Sequence, residues 1–318
     1  MSALLPPVAL ALHVALLLAA APLLTGLLRL AQARLLGRTG ASPLQPLRDL
    51  RRLSRKQGIH AETGSWLLRV APVADFSASV AAAALVPSFA LGMASAPAAD
   101  LLAFAGLLGL GRAATALAAL DAGTGFGGIG ASRAMTFSVF AEPALLLVIF
   151  TFTLLAGTTN LDAIAGTVHE GALGLRVSMG LALVATLALG LVENGRLPAG
   201  NPASHLELTM VHEAMLLDYS GRDLALLEWA AALRLLVWMS LVGIVFAPFG
   251  VAFADAPLGW PLGLAAWAGK VLLLAGGLAL LEASRARMRL FRVPEFLGVA
   301  ILLGLLAVIF LFISQGFA

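Results

Sequence analysis

Long apolar runs along this chain alternate with short basic ones. Asp, Glu, Lys and Arg are missing from residues 1–28, 76–99, 143–161, 235–254 and 296–318, and about 20 mostly apolar residues are enough to cross a bilayer as a helix. Shorter clean runs, each flanked or interrupted by one or two ionisable groups, fill the intervals. The pattern predicts eight transmembrane helices, near 5–30, 67–92, 99–120, 136–157, 173–194, 224–249, 258–284 and 295–316. No ten-residue alternating segments recur, as a membrane barrel requires. The expected fold class is therefore all-α, a polytopic membrane protein forming a single transmembrane helical domain over 1–318. The first run contains Ala19-Ala20-Ala21 but has no positive n-region and is longer than a signal-peptide h-region. It reads as a retained helix.

Composition agrees with this picture and removes other classes. Of the 318 residues, 60% are hydrophobic and 12% charged, against roughly 25% charged in a soluble domain. Too little polar surface is present to cover a water-soluble enzyme of this size. Cysteine is absent, which excludes disulfides, cysteine-ligated zinc and conventional iron–sulfur clusters in this chain. The net charge of +3 is strongly sided. Nine Lys and Arg residues lie between Arg29 and Arg69, and Arg133, Arg196, Arg222, Arg285, Arg287, Arg289 and Arg292 occupy the other loops of that side. The opposite loops, 93–98, 158–172 and 250–257, and the carboxyl tail have none. The positive-inside rule then places both termini outside. It also makes the long loops at about 31–66 and 195–223 cytoplasmic, with amphipathic stretches expected to form ordered elements on the membrane face.

Several ionisable groups fall inside the predicted spans. Asp75, Arg112, Glu142, Arg234, Lys270 and Glu282 lie within them, and Glu193 and Glu228 at span ends. A charge at a helix centre costs roughly 2.5–3.5 kcal/mol on insertion scales, so such groups need partners, a water cavity or a function. In the expected orientation all but Lys270 occupy the cytoplasmic half, with Lys270 near the midplane. The outer half holds only His13 and the boundary residues Asp100 and Arg176. These eight groups are candidates for a proton path from the cytoplasm to mid-membrane. No outward continuation is visible, so protons entering it would leave sideways into a neighbouring subunit.

Other motifs carry less. Gly125-Phe126-Gly127-Gly128-Ile129-Gly130 matches G-x-G-x-x-G but follows a membrane helix rather than a strand, so it reads as a flexible interhelix turn and not a nucleotide site. His205 and Glu207, with His212 and Glu213, invite a metal reading. No H-E-x-x-H spacing and no third nitrogen ligand support it, so a proton-relay or interface role is expected and no metal site. The basic run 48–56 reads as a solvated face or a contact with anionic membrane lipids. Nothing interleaves aromatic residues with these charges, so nucleic acid is not an expected partner.

At the loops the sequence resembles a known family. Gly37-Arg38-Thr39-Gly40 and Leu44-Gln45-Pro46-Leu47-Arg48-Asp49-Leu50 resemble the first cytoplasmic loop of the helix-bundle subunit that joins the arms of respiratory complex I (NADH dehydrogenase subunit 1). Glu142-Pro143 falls where that family has a buried channel glutamate, and Glu193-Asn194-Gly195-Arg196-Leu197-Pro198 is similar to its Glu-Thr-Asn-Arg-x-Pro stretch. A nearer branch is visible in 201–215, from Asn201-Pro202-Ala203-Ser204-His205 to His212-Glu213-Ala214-Met215. Asp218 through Trp229, 126–133 and 291–296 also fit it. These stretches resemble the membrane subunit of formate hydrogenlyase and hydrogenase 4, the energy-converting nickel–iron hydrogenases.

The resemblance implies an integral subunit that anchors a cytoplasmic redox arm and couples electron transfer to proton or other ion movement. Its implied partners are hydrogenase large and small subunits and an antiporter-like membrane subunit, in a bacterial or archaeal cytoplasmic membrane. The nickel–iron centre and iron–sulfur clusters would sit in those partners, with no cofactor in this chain and no catalytic residue. Arg38, Gln45, Arg48 and Asp49 in one loop and Glu207, His212, Glu213 and Asp218 in the other are the implied docking residues. Where complex I relatives cluster acids near their quinone cavity, this chain has Ala203, Ser204 and His205, with Glu207 kept. Where the hydrogenase branch often has an acid after Arg133, this chain has Ala134. The alternatives are a quinone-site subunit of a complex I-type enzyme, a free-standing transporter and a purely structural anchor. A transporter should show inverted repeats, and no internal repeat is seen.

Overall fold

The computed structural model describes residues 4–59, 64–169, 177–196, 211–284 and 292–316. Eleven α-helices are present among them: α1 Leu5–Leu35, α2 Gln45–Ser54, α3 Trp66–Leu85, α4 Leu101–Asp121, α5 Gly125–Ala156, α6 Leu161–His169, α7 Val177–Glu193, α8 His212–Leu216, α9 Gly221–Val245, α10 Trp260–Ser284 and α11 Val293–Gly316. Seven of them are long and apolar enough to cross a membrane, and α7 is a shorter apolar helix of 17 residues. The chain is a multi-pass, all-α membrane protein. The eight expected spans correspond to α1, α3, α4, α5, α7, α9, α10 and α11.

Helix α9 is the axis of the bundle. Every residue from Leu235 to Val245 on it is buried, as expected of a helix surrounded on all sides. Helices α1, α3, α7 and α10 pack around it, while α4 joins α3 to α5, and α11 closes the side formed by α5 and α7. Polar clasps fix the packing, with Trp267 Nε1 donating to Ser240 Oγ at 2.9 Å and Trp229 Nε1 to the Leu18 carbonyl at 3.0 Å. In a bilayer, where lipid is as apolar as leucine, close fit and such hydrogen bonds drive helix association.

Three element boundaries differ from the sequence expectation. Helix α3 ends at Leu85 instead of near 92, because Pro87 drives Val86 into extended backbone (ψ 109°), the usual restriction before proline. The residues beyond it supply β1, Ala90–Leu91, which pairs in parallel with β2, Ala252–Phe253. Nothing in the residue pattern signals this pair, which is only two residues long on each side. Third, the glycine-rich segment 125–130 is not a turn. It forms the first turns of α5, capped by Thr124, whose hydroxyl accepts the Gly127 N–H at 3.1 Å. Glycine is needed at Gly130 because a Cβ there would lie 2.8 Å from the Val211 carbonyl and 2.9 Å from Ala214 Cβ. The bare backbone lets α8 lie directly on α5.

The two ends of the bundle are chemically unlike. One carries the basic loops, including the amphipathic α2, which packs on α9 and α1 with Leu50 buried and its arginines exposed. The other carries β1, β2 and α6, tied by Asp100, which caps α4 through the Leu102 N–H at 2.6 Å and accepts from Thr159 Oγ1 at 2.5 Å. Its carboxyl is held below the usual range, chiefly by the Thr159 hydrogen bond.

Candidate functional site

At the basic end, α3, α4, α5, α7, α8 and α9 bring ionisable side chains from distant parts of the chain together. Asp75 on α3 has no exposed surface and accepts a hydrogen bond from the Arg234 guanidinium on α9. Gly111 on α4 makes room for this pair, since a Cβ at that position would collide with the Asp75 carboxylate. The next residue, Arg112, turns to the other side. Its guanidinium binds Glu193, the last residue of α7, and lies 3.4 Å from the Glu142 carboxylate on α5. One arginine thus serves two acids.

Arg112, Glu193, Asn194, His212, Glu213 and Arg234 share the wall of a cavity of about 150 Å³. A space of that size lined by several polar groups has room for several waters. Three buried polar atoms here have no partner among the described residues: Arg112 Nε, Asn194 Oδ1 and His212 Nε2. Buried polar groups are ordinarily satisfied by protein or ordered water. His212 opens α8, in the loop outside the spans, and its pKa is pulled down to about 4, first by burial and then by the nearby Arg234 charge. At neutral pH it is a neutral imidazole able to both donate and accept.

The remaining sequence candidates are placed elsewhere. Glu282 on α10 accepts from Gln32 on α1, with Arg196 at 3.9 Å, forming a second cluster. Burial lowers the Arg196 pKa, and the Glu282 charge opposes that effect. Glu228 on α9 is under the influence of Arg29 and of Asp49 and Arg52 on α2. Lys270 does not join the cluster; its ammonium lies 5.0 Å from the centre of the Phe249 ring, which is in the loop at the opposite end. Glu142, expected to be buried, is 58% exposed on the outer face of α5.

Of the docking candidates, Arg38, Arg48 and Glu213 are exposed, and Gln45 donates to Asp49 at 3.2 Å while Asp49 pairs with Arg52 at 3.2 Å. His212 turns into the cavity, and Asp218 accepts from Thr124 Oγ1 at 3.1 Å. Glu207 lies outside the described residues. Sequence reasoning missed Asn194 and Gln32 as members of these clusters. An amide one turn from a span end is a usable signal, but an ambiguous one.

Comparison with known proteins follows the same lines. Residues 8–313 match the family described as NADH dehydrogenase. The chain is 32% identical over 279 residues to formate hydrogenlyase subunit 4 of Escherichia coli (strain K12), covering 88% of this chain and 90% of that protein. It is 34% identical over 236 residues to hydrogenase-4 component C of the same organism, covering 74% of each. A chain in the structure of the membrane-bound sulfane sulfur reductase (MBS), an archaeal respiratory membrane complex, superposes with a TM-score of 0.78 at 18% identity. That match covers 96% of this chain and 98% of the other, and it establishes a shared fold.

Proposed function

Starting from the fact that the chain belongs to the NADH dehydrogenase family over nearly its whole length, we propose that it is the membrane subunit of a nickel–iron hydrogenase complex of the formate hydrogenlyase and hydrogenase-4 kind. It works in the cytoplasmic membrane of a bacterium or archaeon, with both termini outside. The basic end receives the hydrogenase large and small subunits, and an antiporter-like subunit lies beside it in the membrane. Nickel, iron–sulfur clusters and electrons belong to those partners, since a chain without cysteine has no thiolates to hold such clusters. Identity above 30% to two hydrogenase-complex subunits supports this reading.

The observation that carries a coupling role is Arg112 held between Glu193 and Glu142, beside a cavity that also meets His212 and Arg234. Burial disfavours a carboxylate and a neighbouring guanidinium favours it. A charge arriving at the docked arm would bias how Arg112 is shared between the two acids. His212 offers a neutral donor and acceptor between the cavity and Arg234. No bond in this chain is made or broken beyond proton transfers.

Affinity purification through a tag on this chain tests the assignment. Nickel and a hydrogenase large subunit should co-purify in stoichiometric amount; their absence would refute it. Glu193→Gln should leave assembly and hydrogen chemistry in place while lowering proton translocation in proteoliposomes at least tenfold. Full pumping by that variant in an intact complex would remove Glu193 from the coupling path.

A further inference from the structure

Tyr219 is the one tyrosine of the chain. It lies in the loop before α9, only 6% exposed, in an apolar cluster with Leu68 and Ala71 of α3, Ala118 of α4 and Leu227 of α9. Each of those helices runs on from the cluster to the buried Asp75–Arg234 pair. Leu68, Ala71 and Asp75 share one face of α3, Gly111 beside the Asp75 carboxylate shares a face of α4 with Ala118, and Arg234 lies two turns beyond Leu227, by the ordinary three-, four- and seven-residue repeats of a helix. The tyrosine therefore closes the basic end of a three-helix interface in which the ion pair is the next charged layer.

Two oxygens of this interface are buried with no partner among the described residues, Tyr219 Oη and Asp75 Oδ2. Asp75 gives only Oδ1 to Arg234. Buried polar atoms of this kind are ordinarily satisfied by ordered water, and Ala71 and Asp75 are only about 6 Å apart along α3. Around the tyrosine stand three partly exposed acids. Asp121 accepts the Ser65 N–H at 2.7 Å and Asp218 accepts from Thr124 Oγ1 at 3.1 Å. Asp223 lies so close to Gly58 that a Cβ there would be 2.5 Å from its carboxylate. Burial first, and then the charges of Asp218, Asp223, Asp121 and Asp75, push the phenol pKa well up. The hydroxyl keeps its proton, so it can pass one on only as it receives another.

We propose that Tyr219 is a proton-entry residue, whose hydroxyl links the mouth formed by Asp121, Asp218 and Asp223 through buried water to Asp75 Oδ2. A proton reaches the phenol oxygen from a water on the mouth side as the phenol's own proton leaves through a second water toward Asp75. The phenol is neutral before and after, and the net change is one proton moved from the mouth to Asp75. A protonated Asp75 holds Arg234 less firmly, and Arg234 also stands in the wall of the cavity shared with Arg112 and Glu193. The entry thus reaches that cavity through the interface of α3, α4 and α9. This inference rests on the coupling role proposed above and adds to it a residue that no acid or base in the spans supplies.

Tyr219→Phe keeps the ring and deletes a hydroxyl that makes no hydrogen bond among the described residues, so packing alone predicts no loss of stability. In intact complexes purified through this chain and placed in proteoliposomes, Tyr219→Phe should assemble and melt as the wild type does, yet translocate protons at least tenfold more slowly. 3-Fluorotyrosine incorporated at position 219 returns a hydroxyl to nearly the same ring and should restore translocation. Full translocation by Tyr219→Phe would overturn the proposal. So would a lower melting temperature or lost assembly in Tyr219→Phe that 3-fluorotyrosine repairs, because the hydroxyl would then be a packing group. A measurement that needs no variant is cryo-electron microscopy of the wild-type complex at a resolution that shows water. Ordered water should bridge Tyr219 Oη and Asp75 Oδ2, and a dry interface, or a phenol bonded to a partner subunit instead, would reject the relay. Failure of the underlying reading looks different. Wild-type complexes that move no protons reject the coupling role and this proposal with it, whereas translocation lost in Glu193→Gln and kept in Tyr219→Phe rejects the entry residue alone.

Discussion

Asp75 has no water to face, so its charge rests on Arg234. Removing one member of a buried pair strands the other and costs about 3–5 kcal/mol in soluble proteins. Asp75→Asn should therefore lower the thermal midpoint of the purified subunit markedly. Asp75→Leu combined with Arg234→Met should recover most of the loss, and a calorimetric double-mutant cycle measures both. His212 makes a prediction about pH. Its folded pKa of about 4 lies below the ordinary 6.5, so between those values the unfolded state binds the extra proton. Stability should fall as pH drops from about 6.5 to about 4 and level off below. His212→Gln should flatten that part of the profile in thermal unfolding runs from pH 4 to 8. The sequence showed every one of these side chains. It did not show that Asp75 and Arg234, 159 positions apart, would be partners, because hydropathy gives a residue's depth along a helix and says nothing about its neighbour.

At the scale of elements, the informative cases are those where local signals were overridden. Gly125–Gly130 has turn composition, yet Thr124 caps it and α8 packs on it, so it is helical. Gly130→Val should push α8 away from α5 and cost about 1–3 kcal/mol of overpacking. Faster amide exchange across 211–216 would report it, and unchanged exchange would show that α8 is held from elsewhere. At the opposite end, buried His13 on α1 meets Ser88 Oγ at 2.6 Å, and its Nε2–H donates to the Ala83 carbonyl at 2.8 Å. His13→Leu would leave both groups unsatisfied, at about 1–3 kcal/mol, with no loss of coupling in complexes that assemble. Helix rotation is what the sequence left open. The spans are apolar on nearly every side, so no stripe distinguishes lipid from core, and Glu142 was expected inside when it faces out.

For the molecule as a whole, the sided distribution of Lys and Arg predicts a topology that reporter fusions can read. An external reporter should be active at both termini, and a cytoplasmic one after Lys56 and Arg222; the reverse pattern would invert the proposed docking side. The sequence by itself determined the all-α membrane class, the approximate spans, the family and the clustering of acids at the basic end. These follow from composition, run length and loop motifs, which are one-dimensional properties. Tertiary structure decided which carboxylate meets which guanidinium, that His212 enters the cavity while Lys270 stands apart, and that Glu142 faces outward. Those outcomes depend on helix rotation and close packing. In a bilayer that treats all apolar faces alike, small residues and buried hydrogen bonds set both, and they act only once the helices are side by side.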